Sequence, residues 1–509
     1  MTTTLAFTLN GAPVSVPADG CSLLEALRDR LGVRSPKDGC SPQGQCGCCT
    51  VWVDGQPRVA CVTPLARVAG RSVTTVEGLA DAGEWASRLC SAGGSQCGFC
   101  TPGIVMRLAA LPAAARTDAA VRQALLAHLC RCTGWNGVVA AACEPTPAAG
   151  VEPRDLALAA ARAELEGGAA QLVSPAVALG QGGFAADSAP ADALVAVRAA
   201  GGEWVVAETL HEARRLAGKV QGRRTTEPLQ WPIELPEGEW VRTLQTTWVE
   251  PAYLEPDAAW CLPGGEPVGP LTNGGAFGGK TGAPAREAEV AAVARSLAAQ
   301  HGRAVLAAYS REDVVWLGPK RPPLAAGIRA DGTGIVRVAR TEGIAAAIAS
   351  VAPELTVEEV AVAGPPTSAS LRAAGWAEVL VLRAPEDGWV TAPNGARARA
   401  VVEDTTVHVE VECGVALDEV VLRSYCTGAA HMALGWVRSE AIVVADGVPC
   451  DLTIRSFGVL RAVDMPAVHV TLVPSAAEPV NGSDAVFAAV ALAAWRHAGF
   501  PGRWPTMRA

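Results

Sequence analysis

The 509-residue sequence lacks the features that would assign it at once to a familiar class. It has no run of about 18 apolar residues, so we expect no membrane-spanning helix. Its start, MTTTLAFTLNG, has neither the basic segment nor the apolar core of a signal peptide, so we expect a cytoplasmic protein. It also lacks an excess of basic residues: the formal charge is -9, which argues against a nucleic-acid partner.

Two further patterns are absent. There is no G-x-G-x-x-G dinucleotide fingerprint and no internal repeat with a period of about 20 to 50 residues. What the chain does contain is apolar sequence, since 50% of its residues are hydrophobic, and 16 cysteines. Its length allows about three or four domains.

Half of the cysteines lie in short motifs between residues 40 and 132. They form two groups of four, namely Cys40, Cys46, Cys49 and Cys61, then Cys97, Cys100, Cys130 and Cys132. Clustered thiols in a large chain favour metal ligation over disulfides, and four thiolates complete one [2Fe–2S] centre. The other thiols, apart from Cys48, are scattered, and we interpret each as a small buried residue.

The first group lies in a predicted β-grasp, ferredoxin-like domain covering residues 1–80. Alternating apolar residues flank the turn Asn10-Gly11, which predicts a hairpin, and Ser22 can cap the helix that follows. The plant-type ferredoxin spacing is C-x4-C-x2-C, but five residues separate Cys40 from Cys46, so we expect a bulged loop with intact ligation. We interpret Cys48 as a neighbour of the cluster; a four-cysteine zinc site is the alternative.

The second group lies in a predicted helical-bundle domain covering residues 81–145. Gln96-Cys97-Gly-Phe-Cys100-Thr-Pro102 opens one helix, and a second helix delivers Cys130-Arg131-Cys132. By itself this arrangement of C-x2-C with C-x-C could also hold zinc.

QCGFCTPG and LCRCTGW resemble the helical iron–sulfur domain of the xanthine dehydrogenase/aldehyde oxidase family of molybdenum hydroxylases, and CSPQGQCGCCTV resembles the ferredoxin domain that precedes it. The resemblance implies two [2Fe–2S] clusters. It also implies that Gln96 and Cys132 lie at a molybdopterin, next to the first cluster to accept electrons. No segment resembles the family's flavin domain, which implies a separate FAD-binding subunit.

A second glycine motif, Asn273-Gly-Gly-Ala-Phe-Gly-Gly-Lys280, lies in the C-terminal half. Gly274 to Thr281 fits the pattern of a nucleotide-binding P-loop, which needs a strand before it and a helix that starts at the lysine. The sequence upstream makes a poor strand, and Pro284 predicts a later helix that begins near Ala285.

The same motif resembles the molybdopterin-contacting loop of the family's large subunit, which implies contacts to the cofactor from Gly275, Ala276, Phe277 and Gly278. Leu371-Arg372-Ala-Ala-Gly resembles the arginine-bearing loop near the metal. The family's catalytic base is a glutamate in a Gly-Glu dipeptide, but this chain reads Gly482-Ser483-Asp484. Asp484 is the nearest carboxylate and our candidate base, although its side chain is short and its position favours a cap of the helix that follows.

We therefore expect an α+β chain with the two iron–sulfur domains, a linker over residues 146–170 and a shortened, mixed α/β, molybdopterin-binding-like region over residues 171–509. The resemblance implies an oxidoreductase that passes electrons from molybdenum through both clusters to a flavin or another acceptor, and that acts on an N-heterocycle or an aldehyde. The alternative is a non-catalytic electron-transfer and docking subunit that binds no molybdenum and pairs with a full-length molybdenum subunit.

Overall fold

The computed structural model describes residues 4–144, 154–218, 227–271, 275–280 and 284–507, with only the backbone described for residues 284–288. Asn273 and Gly274 of the second glycine motif, and Thr281 directly after it, lie outside the described residues, as do residues 146–153 at the start of the predicted linker.

The first domain is a mixed five-stranded sheet packed against a short helix. Its elements are β1 (Thr4–Leu9), β2 (Ala12–Pro17), α1 (Leu23–Glu25, continued by one wider turn over Ala26–Arg30), β3 (Thr50–Val53), β4 (Gln56–Val59) and β5 (Ser72–Thr74), in the sheet order β2-β1-β5-β3-β4. The predicted hairpin is confirmed: Asn10 and Gly11 both have positive φ, as a tight two-residue turn requires. Ser22 and Glu25 form the predicted cap at the start of α1.

The second domain is helical and packs directly on the first. It consists of α2 (Ala82–Ser91), α3 (Thr101–Ala109), α4 (Asp118–Ala124) and α5 (Asn136–Cys143). Gly103 in α3 lies so close to the loop after the first thiols that a Cβ on it would be 2.3 Å from the Gly47 carbonyl oxygen. At this point the two cysteine-bearing domains meet backbone to backbone.

Two small sheets follow a set of short helices. The helices are α6 (Leu156–Gly167), α7 (Pro175–Ala178) and α8 (Ala185–Ser188). Next come β6 (Leu194–Arg198), β7 (Trp204–Ala207), α9 (Leu210–Leu216), β8 (Arg242–Gln245), β9 (Ala258–Cys261), α10 (Pro284–His301), β10 (Val305–Ala308) and α11 (Arg311–Leu317). The first of these two small sheets has the strand order β7-β6-β10-β9. Strand β8 lies in the second of them.

The second sheet has the order β13-β12-β11-β8, and a third sheet completes the C-terminal part. These elements are β11 (Leu324–Ile328), β12 (Gly334–Ala339), α12 (Ile344–Ala349), β13 (Leu355–Val360), α13 (Trp376–Arg383), β14 (Val390–Thr391), β15 (Arg397–Val402), β16 (Thr406–Glu412), α14 (Glu419–Arg438), β17 (Val444–Ala445), β18 (Val448–Pro449), β19 (Ala467–Leu472) and α15 (Ser483–His497). The third sheet has the order β14-β15-β16-β19.

Helices α14 and α15 form the centre of the C-terminal part. Most of their residues are buried, and they pack on each other and, through α15, on β15. An all-round apolar helix is stable only inside a protein, so these two helices fix the core against which the site is built.

None of the helices in the described ranges is long and apolar enough to cross a membrane. The interpretation of every scattered cysteine as a buried residue is wrong at three positions. Cys143 is exposed, and Cys90 and Cys450 are partly exposed, because each lies at the end of an element or in a loop.

Candidate metal and cofactor site

The first thiol group converges in a buried pocket. All four thiols are at most 5% exposed. Contacts join the four thiols in the order Cys46, Cys40, Cys61, Cys49. Hydrogen bonds from Cys46 and Cys61 lower the pKa of Cys40 well below its usual value. Hydrogen bonds to Cys40 and Cys49 raise the pKa of Cys61. The fold therefore assembles four sulfur atoms that are far apart in sequence, as a [2Fe–2S] cluster requires.

The glycine-rich loop aims backbone amides at these sulfurs. The amides of Gln43 and Gln45 donate to Cys40 Sγ at 3.1 and 3.5 Å, and the amide of Cys61 donates to Cys49 Sγ at 3.4 Å. Ser41, directly after Cys40, has a positive φ of 53°, so the backbone turns sharply within the longer loop. Such N–H···S contacts stabilise thiolates, so the longer spacing remains compatible with ligation.

Cys48 lies beside this group. Its side chain is fully buried and contacts Cys46, and a Cβ on Gly39 would be 3.2 Å from its sulfur. Burial raises the pKa of the Cys48 thiol. The geometry agrees with its interpretation as a neighbour of the cluster.

The second thiol group is equally buried and equally compact. Cys132 Sγ lies 3.6 Å from Cys97 Sγ, and hydrogen bonds from Cys100 and Cys132 lower the pKa of Cys130 well below its usual value. Thr133 adds a hydroxyl 3.2 Å from Cys130 Sγ. Among the described residues no three or more histidine, cysteine or acidic side chains are arranged to hold a single metal ion, whereas a [2Fe–2S] cluster spreads four thiolates over two irons.

A buried ion pair ties the second group to the C-terminal part. The guanidinium of Arg131, between two of the thiols, donates to both carboxylate oxygens of Glu440 at 2.6 and 2.7 Å, and its Nε donates to the Pro251 carbonyl at 2.9 Å. Both side chains are at most 3% exposed. Sequence reasoning missed this contact because its partners are 309 positions apart.

Gln96 lies between the second thiol group and α14. Its side-chain amide donates to the Cys132 carbonyl and to the Ser424 hydroxyl, both at 3.0 Å. Its carbonyl oxygen, Oε1, is buried and has no hydrogen-bond partner among the described residues. A buried acceptor without a partner costs about 1–3 kcal/mol, so this oxygen is well suited to receive a hydrogen bond from a bound group.

The second glycine motif reaches the same place. Gly275 lies against the second thiol group, since a Cβ on it would be 2.6 Å from Cys132 Sγ. Gly278 lies against Ser370, since a Cβ on it would be 1.8 Å from the Ser370 carbonyl oxygen. Both have positive φ, which glycine adopts without strain. Ala276 and Phe277, between them, line a small cavity of about 30 Å³.

The P-loop interpretation is not supported by the surroundings of this motif. The amine of Lys280 pairs with Glu255 Oε2 at 2.6 Å, and both groups are buried. Within the described part of the chain, no strand leads into the motif, and α10 begins at Pro284, close to the predicted position and not at the lysine. The lysine of a P-loop must be available to a phosphate, which this one is not.

Arg372 completes the wall of the 30 Å³ cavity. Its guanidinium lies 3.7 Å from the centre of the Phe277 ring, donates to the Ser483 hydroxyl at 3.2 Å and is 3.1 Å from a carboxylate oxygen of Asp484. Burial lowers the pKa of Arg372, and the Asp484 charge opposes that shift. The predicted cofactor residues, one thiol group and the candidate base are thus brought together.

Asp484 is not a helix cap, so that part of the prediction is wrong. It is the second residue of α15, and its own amide donates to the Asn481 side chain at 3.0 Å. Burial raises the pKa of Asp484, while Arg372 opposes the rise. Whether this carboxylate acts as a base stays a prediction.

The residue that holds the start of α15 is Glu166, which the sequence pattern did not single out. Its carboxylate accepts from the amides of Gly482 and Ser483 at 3.0 and 2.8 Å, and it also pairs with Arg162. Both partners of that pair are fully buried. The one local signal was the four-residue spacing of two opposite charges in an alanine-rich helix.

Comparisons with known proteins agree with this geometry. Residues 75–143 match the family model of a [2Fe–2S] binding domain. The chain is 39% identical over 146 residues to the xanthine dehydrogenase iron-sulfur-binding subunit of Escherichia coli O157:H7, covering 27% of this chain and 91% of the relative. It is 40% identical over 138 residues to a nicotinate dehydrogenase subunit of Pseudomonas putida, covering 26% of this chain and 87% of the relative.

The chain belongs to the molybdenum hydroxylase family.

The remaining sequence of this family member extends beyond those relatives, but its fold is not new. Aldehyde oxidoreductase from Desulfovibrio gigas superposes with a TM-score of 0.68 and 14% identity, covering 96% of this chain and 97% of the other. Such low identity shows the shared fold alone. The chain spans 12% of the length of the xanthine dehydrogenase of Drosophila pseudoobscura, to which it is 40% identical over 156 residues.

Proposed function

We propose that this molybdenum hydroxylase family member is an iron–sulfur and molybdopterin-binding subunit that passes electrons from a molybdenum centre through two [2Fe–2S] clusters to a flavin or another acceptor. One observation carries the proposal: Gly275 of the second glycine motif approaches Cys132 so closely that a Cβ would lie 2.6 Å from its sulfur. The backbone of a molybdopterin-type loop therefore contacts a thiol of a cluster-type group.

The thiols suit the clusters that the family implies. Cys40, Cys46, Cys49 and Cys61 would hold one cluster, and Cys97, Cys100, Cys130 and Cys132 would hold the other. Each group is buried and pre-assembled by its loop, so little ordering remains to be done on metal binding. When bound, the clusters supply one-electron transfer, while the protein sets their potentials through burial and N–H···S contacts.

The residues at the molybdopterin position also suit such a group. Gln96 offers an unpartnered buried carbonyl, and Gly275, Ala276, Phe277 and Gly278 offer backbone that can approach a ligand closely. Arg372 brings a buried positive charge that suits an anionic group. Molybdenum, when bound, supplies a Lewis acid and a redox centre, and these residues bind and orient its pterin.

The packing of the two iron–sulfur domains supports the order of electron flow. Phe99, between Cys97 and Cys100, lies against Gly39 next to Cys40, since a Cβ on Gly39 would be 3.2 Å from the Phe99 ring. The second thiol group thus lies between the molybdopterin loop and the first thiol group. We propose an FAD-binding partner subunit that accepts electrons from the first cluster, with the reaction in the cytoplasm.

The substrate class and further partners follow from the family. We propose an N-heterocycle or an aldehyde as the substrate, with Asp484 as the candidate base. A relative in Pseudomonas sp. is the caffeine dehydrogenase subunit gamma, 35% identical over 144 residues, and the nicotinate dehydrogenase subunit likewise belongs to an assembly with an N-heterocyclic substrate in its name.

The ion pair made by the candidate base and the small size of the neighbouring cavity favour a second function. Asp484 is paired with Arg372 at 3.1 Å, and the cavity beside them measures only about 30 Å³. A cavity that stays this small would admit no cofactor or substrate. The chain would then be an electron-transfer and docking subunit for a separate, full-length molybdenum subunit.

Cofactor content separates the two functions. The chain would be produced in a host that makes molybdopterin, and molybdenum and released pterin would be measured per chain for the wild type, Arg372→Met and Arg329→Met. The proposal predicts about one molybdenum in the wild type and in the control Arg329→Met, whose arginine is exposed, and a clear loss in Arg372→Met. Iron without molybdenum or pterin in all three proteins would establish the electron-transfer subunit instead.

A further inference from the structure

The loop that carries the first thiol group reaches the protein surface beside Cys61. Val62, which directly follows Cys61, is 48% exposed. Gly44, in the same cysteine-bearing loop as Cys40 and Cys46, lies against it, since a Cβ on Gly44 would be 2.9 Å from a methyl carbon of Val62. The surface at Val62 is therefore one residue along the chain from a predicted cluster ligand.

A positively charged side chain from the C-terminal part lies over the same loop. The guanidinium of Arg455 donates through Nε to the Gln45 carbonyl at 2.9 Å and through a terminal nitrogen to the Leu126 carbonyl at 3.1 Å. Its backbone amide donates to the Gln45 side chain at 3.2 Å. Gln45 directly precedes Cys46, and its own amide donates to Cys40 Sγ. These contacts hold the positive charge in a fixed position beside the first thiol group.

This positive charge is not neutralised by a neighbouring carboxylate. Arg455 is exposed, and within the described ranges no aspartate or glutamate forms an ion pair with it. Glu312 also contacts the loop, but its carboxylate accepts a hydrogen bond from the Gln43 side chain at 3.1 Å. The formal charge of the whole chain is -9, so Arg455 places an unneutralised positive charge on a molecule that is acidic overall.

We infer that Gly44, Gln45, Val62 and Arg455 form an exit face for the first cluster, and that this face binds an acidic redox protein. Exposed apolar surface beside a fixed charge suits protein recognition, and opposite charges speed the encounter of two proteins. The step is a one-electron transfer, in which the reduced first cluster is oxidised and the cofactor of the partner is reduced. The inference rests on the proposed function, because it takes the first cluster as the last electron carrier of this chain.

Two haem proteins of opposite charge test the exit face. Cytochrome b5 is acidic and cytochrome c is basic, and each accepts one electron with a change in haem absorbance. The full chain with both clusters would be reduced with dithionite, freed of the excess, and mixed with each cytochrome by stopped flow at low ionic strength. The variants are Arg455→Gln and Val62→Asp. The matched control is Arg329→Gln, which removes an exposed arginine between β11 and β12.

We expect Arg455→Gln to reduce cytochrome b5 about three- to tenfold more slowly than the wild type does, because a steering charge is lost. Val62→Asp adds a negative charge at an exposed position and should slow the same reaction by a similar factor. Reduction of cytochrome c should not slow in either variant, and the control should match the wild type with both cytochromes. The differences should vanish at about 1 M salt, where charges are screened beyond about 3 Å.

Two results would overturn the inference. One is an unchanged rate of cytochrome b5 reduction in both Arg455→Gln and Val62→Asp. The other is equal slowing of both cytochromes, because Arg455 would then act on the potential of the cluster and not on docking.

Molybdenum analysis of the same preparations keeps this inference apart from the proposed function. Cytochrome b5 reduction that depends on Arg455 in a chain without molybdenum refutes the molybdopterin-binding role and supports the exit face, since dithionite reduces the clusters directly. Molybdenum at about one per chain, with cytochrome b5 rates that do not depend on Arg455 or Val62, refutes the exit face and leaves the proposed function standing.

Discussion

Gly428→Ala is a sharp test of how α14 positions the second thiol group. Gly428 lies inside α14, and a Cβ built on it would be 1.8 Å from the Cys132 carbonyl oxygen, well inside the 3.0 Å below which Cβ contacts essentially never occur. That carbonyl also accepts the hydrogen bond from Gln96. The added methyl group must therefore displace the backbone of a predicted cluster ligand.

The net effect on stability follows from two opposing contributions. Alanine is about 1 kcal/mol better than glycine in a helix interior, whereas overpacking a buried contact costs about 1–3 kcal/mol. A rigid carbonyl cannot swing away as a side-chain end can, so we expect a net loss of about 1–2 kcal/mol. For a unit of about 150–250 residues this corresponds to a melting temperature lower by about 2–8 °C.

The matched control is Gly83→Ala. Gly83 also lies in a helix, but no atom is within 4 Å of a Cβ built on it. Here the same substitution should raise the melting temperature slightly. Calorimetry gives the stabilities, and electron paramagnetic resonance of the reduced protein gives the signal of each cluster. We expect Gly428→Ala to change one cluster signal and Gly83→Ala to change neither; equal behaviour of the two variants would refute the reasoning.

Further substitutions test the ligand set, the buried ion pair and one perturbed carboxyl. Cys48→Ala should keep about four irons per chain and Cys49→Ala only about two, so loss of iron in Cys48→Ala would contradict the assignment. Glu440→Ala leaves Arg131 buried without its partner and should cost about 3–5 kcal/mol in urea unfolding. Burial raises the pKa of Asp29 from 3.8 to about 6, so the folded chain holds this proton more tightly than the unfolded chain, and the stabilisation present below about pH 4 is lost as the pH rises through 6. Asp29→Asn should therefore be more stable than the wild type at pH 7.5, by about 2–3 kcal/mol at most, and equal to it near pH 4.

The local parts of the fold were predictable from sequence because their signals are local. The Asn10-Gly11 turn, the Ser22 cap and the late start of α10 depend on a few neighbouring residues, and the structure confirms all three. The cysteine groups were equally recognisable, since eight thiols in short motifs of a large chain are typical of metal ligands. Resemblance added the expectation that Gln96, the second glycine motif and Arg372 meet.

The contacts between distant residues could not be predicted. Glu166 binds amides more than 300 positions away, and no local pattern says that a carboxylate from α6 will reach the start of α15. The cap prediction for Asp484 failed for a related reason: Glu166 and Asn481 bind the first amides, so the helix already begins at Ser483 and Asp484 lies inside it.

The measurement that tests the central claim most directly is electron paramagnetic resonance of the partly reduced chain, produced in a host that makes molybdopterin. The claim is that molybdenum lies next to the cluster held by Cys97, Cys100, Cys130 and Cys132, because Gly275 touches Cys132. It predicts a molybdenum(V) signal that is split at low temperature by one reduced [2Fe–2S] cluster, and a split that disappears when that cluster is oxidised. Two cluster signals with no molybdenum signal, or a molybdenum signal that never splits, would contradict it.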